Sequence, residues 1–172
     1  MASTQSELKD LQRPLKAGYR EEPETARITL TAKGGEGDTG VASCSVDLGR
    51  AIYAAEAHVG VGGAGTAACS GDLLLGALAA CAQLTCQMVA TAMGLDARRI
   101  EVVVEGDLDL RGTLGIDREV SAGFDSIRLR FEIDAPGASE EDLDGLMKRT
   151  ERYCTVLQTL KRPPGIEVVR AE

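Results

Sequence analysis

Aromatic side chains are nearly absent: the 172 residues hold two Phe, three Tyr and no Trp, 3% in all. That scarcity excludes aromatic cages and base-stacking platforms, which need several rings on one surface. Histidine occurs once, at His58, which argues against most zinc and non-haem iron centres. Positive charge is short as well, with 19 Lys plus Arg against 27 Asp plus Glu and a formal net charge of −8. Phosphate backbones and anionic membrane surfaces attract the opposite balance, so neither nucleic acid nor membrane is expected as a partner. No apolar run reads as long enough to cross a bilayer, and no signal peptide or internal repeat stands out. The five Cys are odd in number and lack a pairing pattern, which fits free thiols in a reducing cytoplasm.

What is present is enough for a core. Hydrophobic residues make up 44%, and the length suits one domain that needs no disulfide scaffold. Residues 1–26 read as an N-terminal arm or short helix. Thr4 and Glu7 have capping-box spacing, Leu8, Leu11 and Leu15 share a face, and Pro14 interrupts the pattern. Residues 27–172 form the domain proper. Period-two alternation predicts strands at Ile28–Leu30–Ala32, ended by a Gly34-Gly35 turn, and at Cys44–Val46–Leu48. Two longer strands follow, one through Ile100, Val102, Val104, Leu108 and Leu110, the other through Ile127, Leu129, Phe131 and Ile133. The first carries Glu101, Glu105, Asp107 and Asp109 outward and the second Arg128 and Arg130, so cross-strand ion pairs are expected. A last short strand, Ile166 to Val169, follows Pro163-Pro164.

Two helices are clear. The first runs from Ser70, read as its N-cap, to Met93, with Gly94 as the stop. It is apolar nearly all round from Leu73 to Ala82 and thin, which predicts a buried helix closely approached by another backbone. The second starts at Ser139, with Asp142 three residues on. Leu143, Leu146, Met147, Thr150, Tyr153 and Cys154 follow helical spacing, which places Cys154 on the buried face at its end. Strands, one buried helix, strands and one amphipathic helix together define an α+β chain. The Gly60–Gly71 loop lacks the Gly-Lys-Ser/Thr ending of a phosphate loop and reads as a flexible connection.

Only the cysteines offer a chemical centre. Cys81 and Cys86 lie five helical steps apart, about 140° around the axis, which is poor for sharing a metal. Cys44 and Cys86 read as small core hydrophobes. Cys69 precedes the helix and points to nothing specific. His58, alone in a loop-like stretch, reads as exposed or locally hydrogen-bonded rather than as a catalytic base. From periodicity alone Cys81 and Cys154 are core residues too.

Their context separates them from the others. The stretch Cys69-Ser70-Gly71-Asp72-Leu73-Leu74-Leu75-Gly76-Ala77-Leu78-Ala79-Ala80-Cys81 resembles the central-helix motif of the OsmC/Ohr family, the osmotically inducible and organic hydroperoxide resistance proteins. Glu151-Arg152-Tyr153-Cys154-Thr155-Val156-Leu157-Gln158-Thr159-Leu160 resembles that family's second-Cys segment, and the order of elements agrees from about residue 27 to 170. The resemblance implies an OsmC-like fold, with antiparallel sheets around a buried central helix, in an intertwined homodimer. It also implies thiol-dependent reduction of organic hydroperoxides, with Cys81 as peroxidatic and Cys154 as resolving cysteine. An external dithiol is then the reductant, and no cofactor or metal is called for. Leu74, Leu78, Met88 and Met147 are candidates for an apolar lining that suits fatty peroxides, or for plain core.

Several positions depart from the family pattern. The family's thiolate-favouring Glu falls at Gly71 and its Arg at Glu36, and Thr155 stands where Pro is common. Asp72, next to Gly71, is the candidate auxiliary acid. Nine regular helical steps set it about 180° from Cys81, and its alternative role is an acid favoured by the helix N-terminal dipole. Arg20, Arg27, Arg50 and Arg111 remain as possible cations. These departures keep two other readings open: a non-catalytic dimer that binds an apolar small molecule or partner, and a thiol sensor that oxidises once.

Overall fold

A computed structural model describes residues 10, 12–14, 16–18, 21–22, 33–36, 43–47 and 52–170. It divides into two compact units, residues 1–56 and 57–172.

In the first unit, Asp10, residues 12–14 and residues 16–18 are helical, with Pro14 inside the helical stretch. Its charges face solvent: Arg13 pairs with Asp10 at 2.8 Å, and the Lys16 amine donates to Gln12 at 3.0 Å. Thr4, Glu7, Leu8, Leu11 and Leu15 lie outside the described residues. Three strands follow as an antiparallel meander: β1 Lys33–Glu36, β2 Ser43–Asp47 and β3 Ile52–Glu56. Gly34 and Gly35, expected to turn, are instead paired within β1, opposite Val46 and Ser45. The predicted strand at 28–32 lies outside the described residues. β3 was not expected, because Ile52-Tyr53-Ala54-Ala55-Glu56 does not alternate.

The second unit opens on a structured turn where a flexible connection was expected. His58 accepts the Gly60 N–H through Nδ1 at 3.0 Å and caps a single 3-10 turn, Val59–Val61. Gly62 and Gly65 hold φ of +96° and +74°, values that side chains with a Cβ resist. The two-residue strand β4, Ala68–Cys69, leads into helix α1, Ser70–Met93. The N-cap is Cys69 rather than Ser70. The Cys69 sulfur accepts the Asp72 N–H and the Asp72 carboxylate accepts the Cys69 N–H at 2.9 Å, so Asp at the third helical position selects Cys69. Gly94, at φ +75°, closes α1 as expected.

β5 Arg99–Leu108 and β6 Phe124–Asp134 form a long antiparallel pair with Glu105 opposite Arg128. β5 stops before Leu110 because Asp109 accepts the Arg111 N–H and starts the one-turn helix α2, Leu110–Thr113. The expected cross-strand pairing is present. Arg128 reaches Glu105 at 3.6 Å and binds the Asp107 carboxylate, which also accepts from Ser126 at 2.7 Å. Hydrogen bonds from Arg128 and Ser126 push Asp107 down from 3.8 to about 2. A depressed carboxylate contributes stability above its unfolded value, lost as the pH falls from about 3.8 towards 2. Carboxyl NMR at low salt should therefore find the Asp107 midpoint near 2, returning towards 3.8 in Arg128→Ala. A midpoint unmoved by that substitution would refute the pairing.

Helix α3, Glu140–Tyr153, begins with the expected Ser139–Asp142 capping box. Tyr153, read as core, is exposed with Arg152 stacked 5.6 Å from its ring centre. The chain then bends at Cys154 (φ −71°, ψ +105°) and re-enters a helix, α4 Thr155–Lys161. No strand forms at Ile166–Val169. That segment is extended and its apolar side chains lie in solvent, with Val168 91% exposed.

α1 packs on β5, α3 and α4 and divides the core in two. Its C-terminal half, with Cys86, Val89, Ala90 and Met93, closes on Leu146, Ile100 and Ile133. Its middle, with Leu78 and Ala82, closes on Cys154, Val102, Leu129, Val156 and Leu157. By length and composition α1 would suffice to cross a membrane, contrary to the sequence reading. Its packing makes it the core helix of this unit. It is not buried all round, because a two-stranded sheet and two helices cover only one side. Ala77, Ala80, Leu84 and Met88 form an exposed stripe on the other.

Candidate active site

The bend between α3 and α4 decides where the second sulfur sits. Thr150 accepts the Cys154 N–H through its carbonyl at 2.9 Å, which ends α3, and Cys154 turns fully inward against Leu78 and Ala82. Cys81 lies on α1 between those core residues and the exposed stripe, and is only half-buried. The fold thus brings together two residues that are 73 positions apart in sequence, with Cys81 packed against the cluster that holds Cys154.

The two thiols differ. Burial works against charge on Cys81, but the Val156 N–H, the Cys154 thiol, the Thr85 hydroxyl and the Thr155 N–H together outweigh it. They hold Cys81 below the ordinary thiol value. Burial pushes Cys154 above that value, and the neighbouring Cys81 charge reinforces the shift over the help from the Leu157 N–H. The pair therefore loses its protons in two steps, the first centred on the accessible sulfur. The donors come from the first turn of α4, whose N–H groups have no partner within the helix, and from one turn further along α1. All of them are neutral.

The remaining candidates lie elsewhere. Asp72 is nine residues, about 13.5 Å of helix, from Cys81, and its carboxylate binds the Cys69 N–H, which holds it below the usual carboxylate range. Arg111 is engaged by Asp109 and Asp117. Arg20, Arg27 and Arg50 lie outside the described residues, as does the side chain of Glu36. At Gly71 a Cβ would come 3.3 Å from the Phe124 ring, so an aromatic edge crowds the place where the resemblance puts a glutamate. Cys86 belongs to the other half of the core, beside Thr150, and burial pushes it above the ordinary value. It shares nothing with Cys81. Leu78 walls the thiol pair, whereas Leu74 lines a separate groove of about 820 Å³ with Leu75, Leu108 and Phe124 at the N-terminal end of α1. Met88 lies on the exposed stripe, so the four expected lining residues do not form one pocket.

Sequence reading missed Thr85 and the N–H groups of Thr155 and Val156. Thr85 had a legible signal, a hydroxyl four residues after Cys81 in an apolar helix. The backbone donors had none, because the break at Cys154 creates them.

An α+β chain that packs a half-buried thiol on a long apolar helix against a cluster holding a second, buried thiol belongs to a recognisable class. A family model described as OsmC-like protein matches residues 63–169. The chain belongs to the OsmC family. Solved structures agree on the fold. An OsmC-like protein from Mycoplasma pneumoniae is 22% identical, with a TM-score of 0.62 over 80% of this chain and 89% of that one. An organic hydroperoxide resistance protein from Elizabethkingia anophelis is 16% identical, with a TM-score of 0.59 over 80% and 91%. An OsmC-like protein of unknown function from Vibrio cholerae is 12% identical, with a TM-score of 0.63 over 77% and 94%. No curated protein sequence matches the chain.

Proposed function

We propose that this protein reduces organic hydroperoxides at Cys81 and Cys154, using an external dithiol. The observation that carries the proposal is the asymmetry of the pair: the half-buried sulfur is the one whose thiol is held below its ordinary value, and burial pushes the fully buried one above it. The Cys81 thiolate attacks the distal oxygen of the hydroperoxide. The O–O bond breaks, the alkoxide leaves and takes up a proton to become the alcohol, and Cys81 becomes a sulfenic acid. The Cys154 sulfur then attacks the Cys81 sulfur. An S–S bond forms, the S–O bond breaks, and the hydroxyl departs with the Cys154 proton as water. Exchange with the dithiol returns both thiols and leaves the reductant as a disulfide.

The working unit in this reading is a homodimer in the cytoplasm, with a second copy covering the Ala77–Ala80–Leu84–Met88 stripe beside Cys81. A monomer in sedimentation at working concentration would remove that part of the proposal. The main test treats reduced protein with cumene hydroperoxide and maps thiols by peptide mass spectrometry. A Cys81–Cys154 disulfide and repeated turnover with dithiothreitol are expected. Unconsumed peroxide with both thiols intact would refute the reading. A single oxidation without turnover would mark a sensor.

The groove beneath Leu74 and Phe124 favours one alternative, a dimer that carries an apolar small molecule. A lipid retained in native mass spectrometry, together with an inert Cys81, would select it.

A further inference from the structure

The groove at the N-terminal end of α1 is built around one of the chain's two phenylalanines. Phe124, the first residue of β6, sits against Gly106 of β5 and Gly71 of α1. A Cβ at Gly106 would come 2.6 Å from the Phe124 ring and 3.2 Å from Leu75, so any side chain there would force the ring to shift. The ring keeps its place in an apolar wall with Leu74 and Leu108 because two glycines make room for it. The volume, about 820 Å³, falls within the about 300–1,000 Å³ usual for small-ligand sites, which are mostly apolar with a few polar groups. Neither Cys81 nor Cys154 lines it.

Charge on the wall is of one sign. Among the described residues Asp72 and Asp107 line the groove, and no Lys or Arg does. Asp107 is matched by Arg128 on the outer face of the sheet. Asp72 holds the Cys69 N–H through Oδ2, and among the described residues no Lys or Arg pairs with it. His58 accepts the Gly60 N–H through Nδ1, so that nitrogen carries no proton in this arrangement and the ring no charge. An anion entering here would meet the Asp72 carboxylate, which already occupies the first turn of α1 where the helix dipole favours negative charge. A cationic head would be matched by that same carboxylate.

We propose that this groove binds a single-chain amphiphile with an ammonium head, its hydrocarbon chain against Leu74, Leu108 and Phe124 and its head at Asp72. The apolar wall supplies most of the affinity and the lone carboxylate chooses the head group. Binding there requires nothing of Cys81, so it stands or falls apart from peroxide reduction.

The test is equilibrium dialysis of the full-length protein at neutral pH and low salt against decylammonium, decanol and decanoate, three probes of one chain length. Decylammonium is expected to bind about fivefold more tightly than decanol, as one exposed ion pair allows, and decanoate more weakly than either. Asp72→Asn keeps an oxygen for the Cys69 N–H and removes the charge. It should bring decylammonium to within about twofold of decanol and leave decanol unchanged. Leu74 is 39% exposed, so Leu74→Asn spares the core, and it should weaken decylammonium and decanol alike by about tenfold. Leu74→Gln repeats the measurement if Leu74→Asn fails to fold. Absence of binding by all three probes, decanoate bound as tightly as decylammonium, or decylammonium affinity unmoved in either folded variant would overturn the proposal. Decylammonium bound by a protein that leaves peroxide unconsumed would refute the peroxidase reading alone.

Discussion

With Cys154→Ser, the protein is expected to consume one hydroperoxide per Cys81 and then stop. The first step needs only the Cys81 sulfur, so alcohol should form in a stoichiometric burst, with sulfenic acid trapped at Cys81 by dimedone. Cys81→Ser should show no burst, and turnover should drop by roughly a thousandfold or more, since removing a nucleophile removes the reaction path rather than a share of it. The order of the roles comes from geometry. Cys81 borders the exposed stripe, while Cys154 is 0% exposed and packed with Leu78 and Ala82 in the same cluster as Cys81. Rates should rise with pH through a midpoint below the ordinary thiol value, because Cys81 reacts as the thiolate and its donors lower its proton affinity. The reverse pattern, a burst in Cys81→Ser and none in Cys154→Ser, would exchange the roles and sink the proposed mechanism.

Leu146→Ala is expected to destabilise the fold by about 3 kcal/mol, lowering the melting temperature by roughly 10 °C. Leu146 is 0% exposed and closes α3 onto Cys86, Val89 and Ala90 of α1. Truncation removes its transfer free energy and leaves a cavity that the two helices and the sheet can only partly collapse. Because this cluster is separate from the one holding the thiols, labelling of Cys81 should keep its pH midpoint below the transition. A loss under about 1 kcal/mol in urea denaturation would mean that α3 is not anchored here.

The parts of the fold that were legible in advance are those with strong local periodicity. β5 and β6 alternate over ten or more residues and carry opposite charges outward, so both their existence and their pairing could be read. α1 and α3 carry caps and stops in the sequence itself, and Gly94 and Ser139 fell where expected. Local signals failed where two of them competed. Ser70 looked like the better cap until Asp72 proved to be three residues from Cys69. Gly34-Gly35 resembles a turn, yet cross-strand pairing with β2 holds it extended. Leu110 continued the alternation of β5, but the side chain of Asp109 began a helix first.

The sequence by itself determined the α+β class, the long apolar helix, the charge-paired strands and, through family resemblance, the two candidate cysteines. Tertiary structure alone decided what lowers the Cys81 thiol below its ordinary value. Among its causes are backbone N–H groups at the start of α4, left without a helical partner by the break at Cys154, and none announces itself as charge in a one-dimensional string. Packing also decided that α1 buries one face rather than all of them, because a two-stranded sheet with α3 and α4 covers one side of a helix. Electrostatics at a thiol depend on which dipoles converge within a few ångströms, and that convergence exists only once residues 81 and 154 have been folded together.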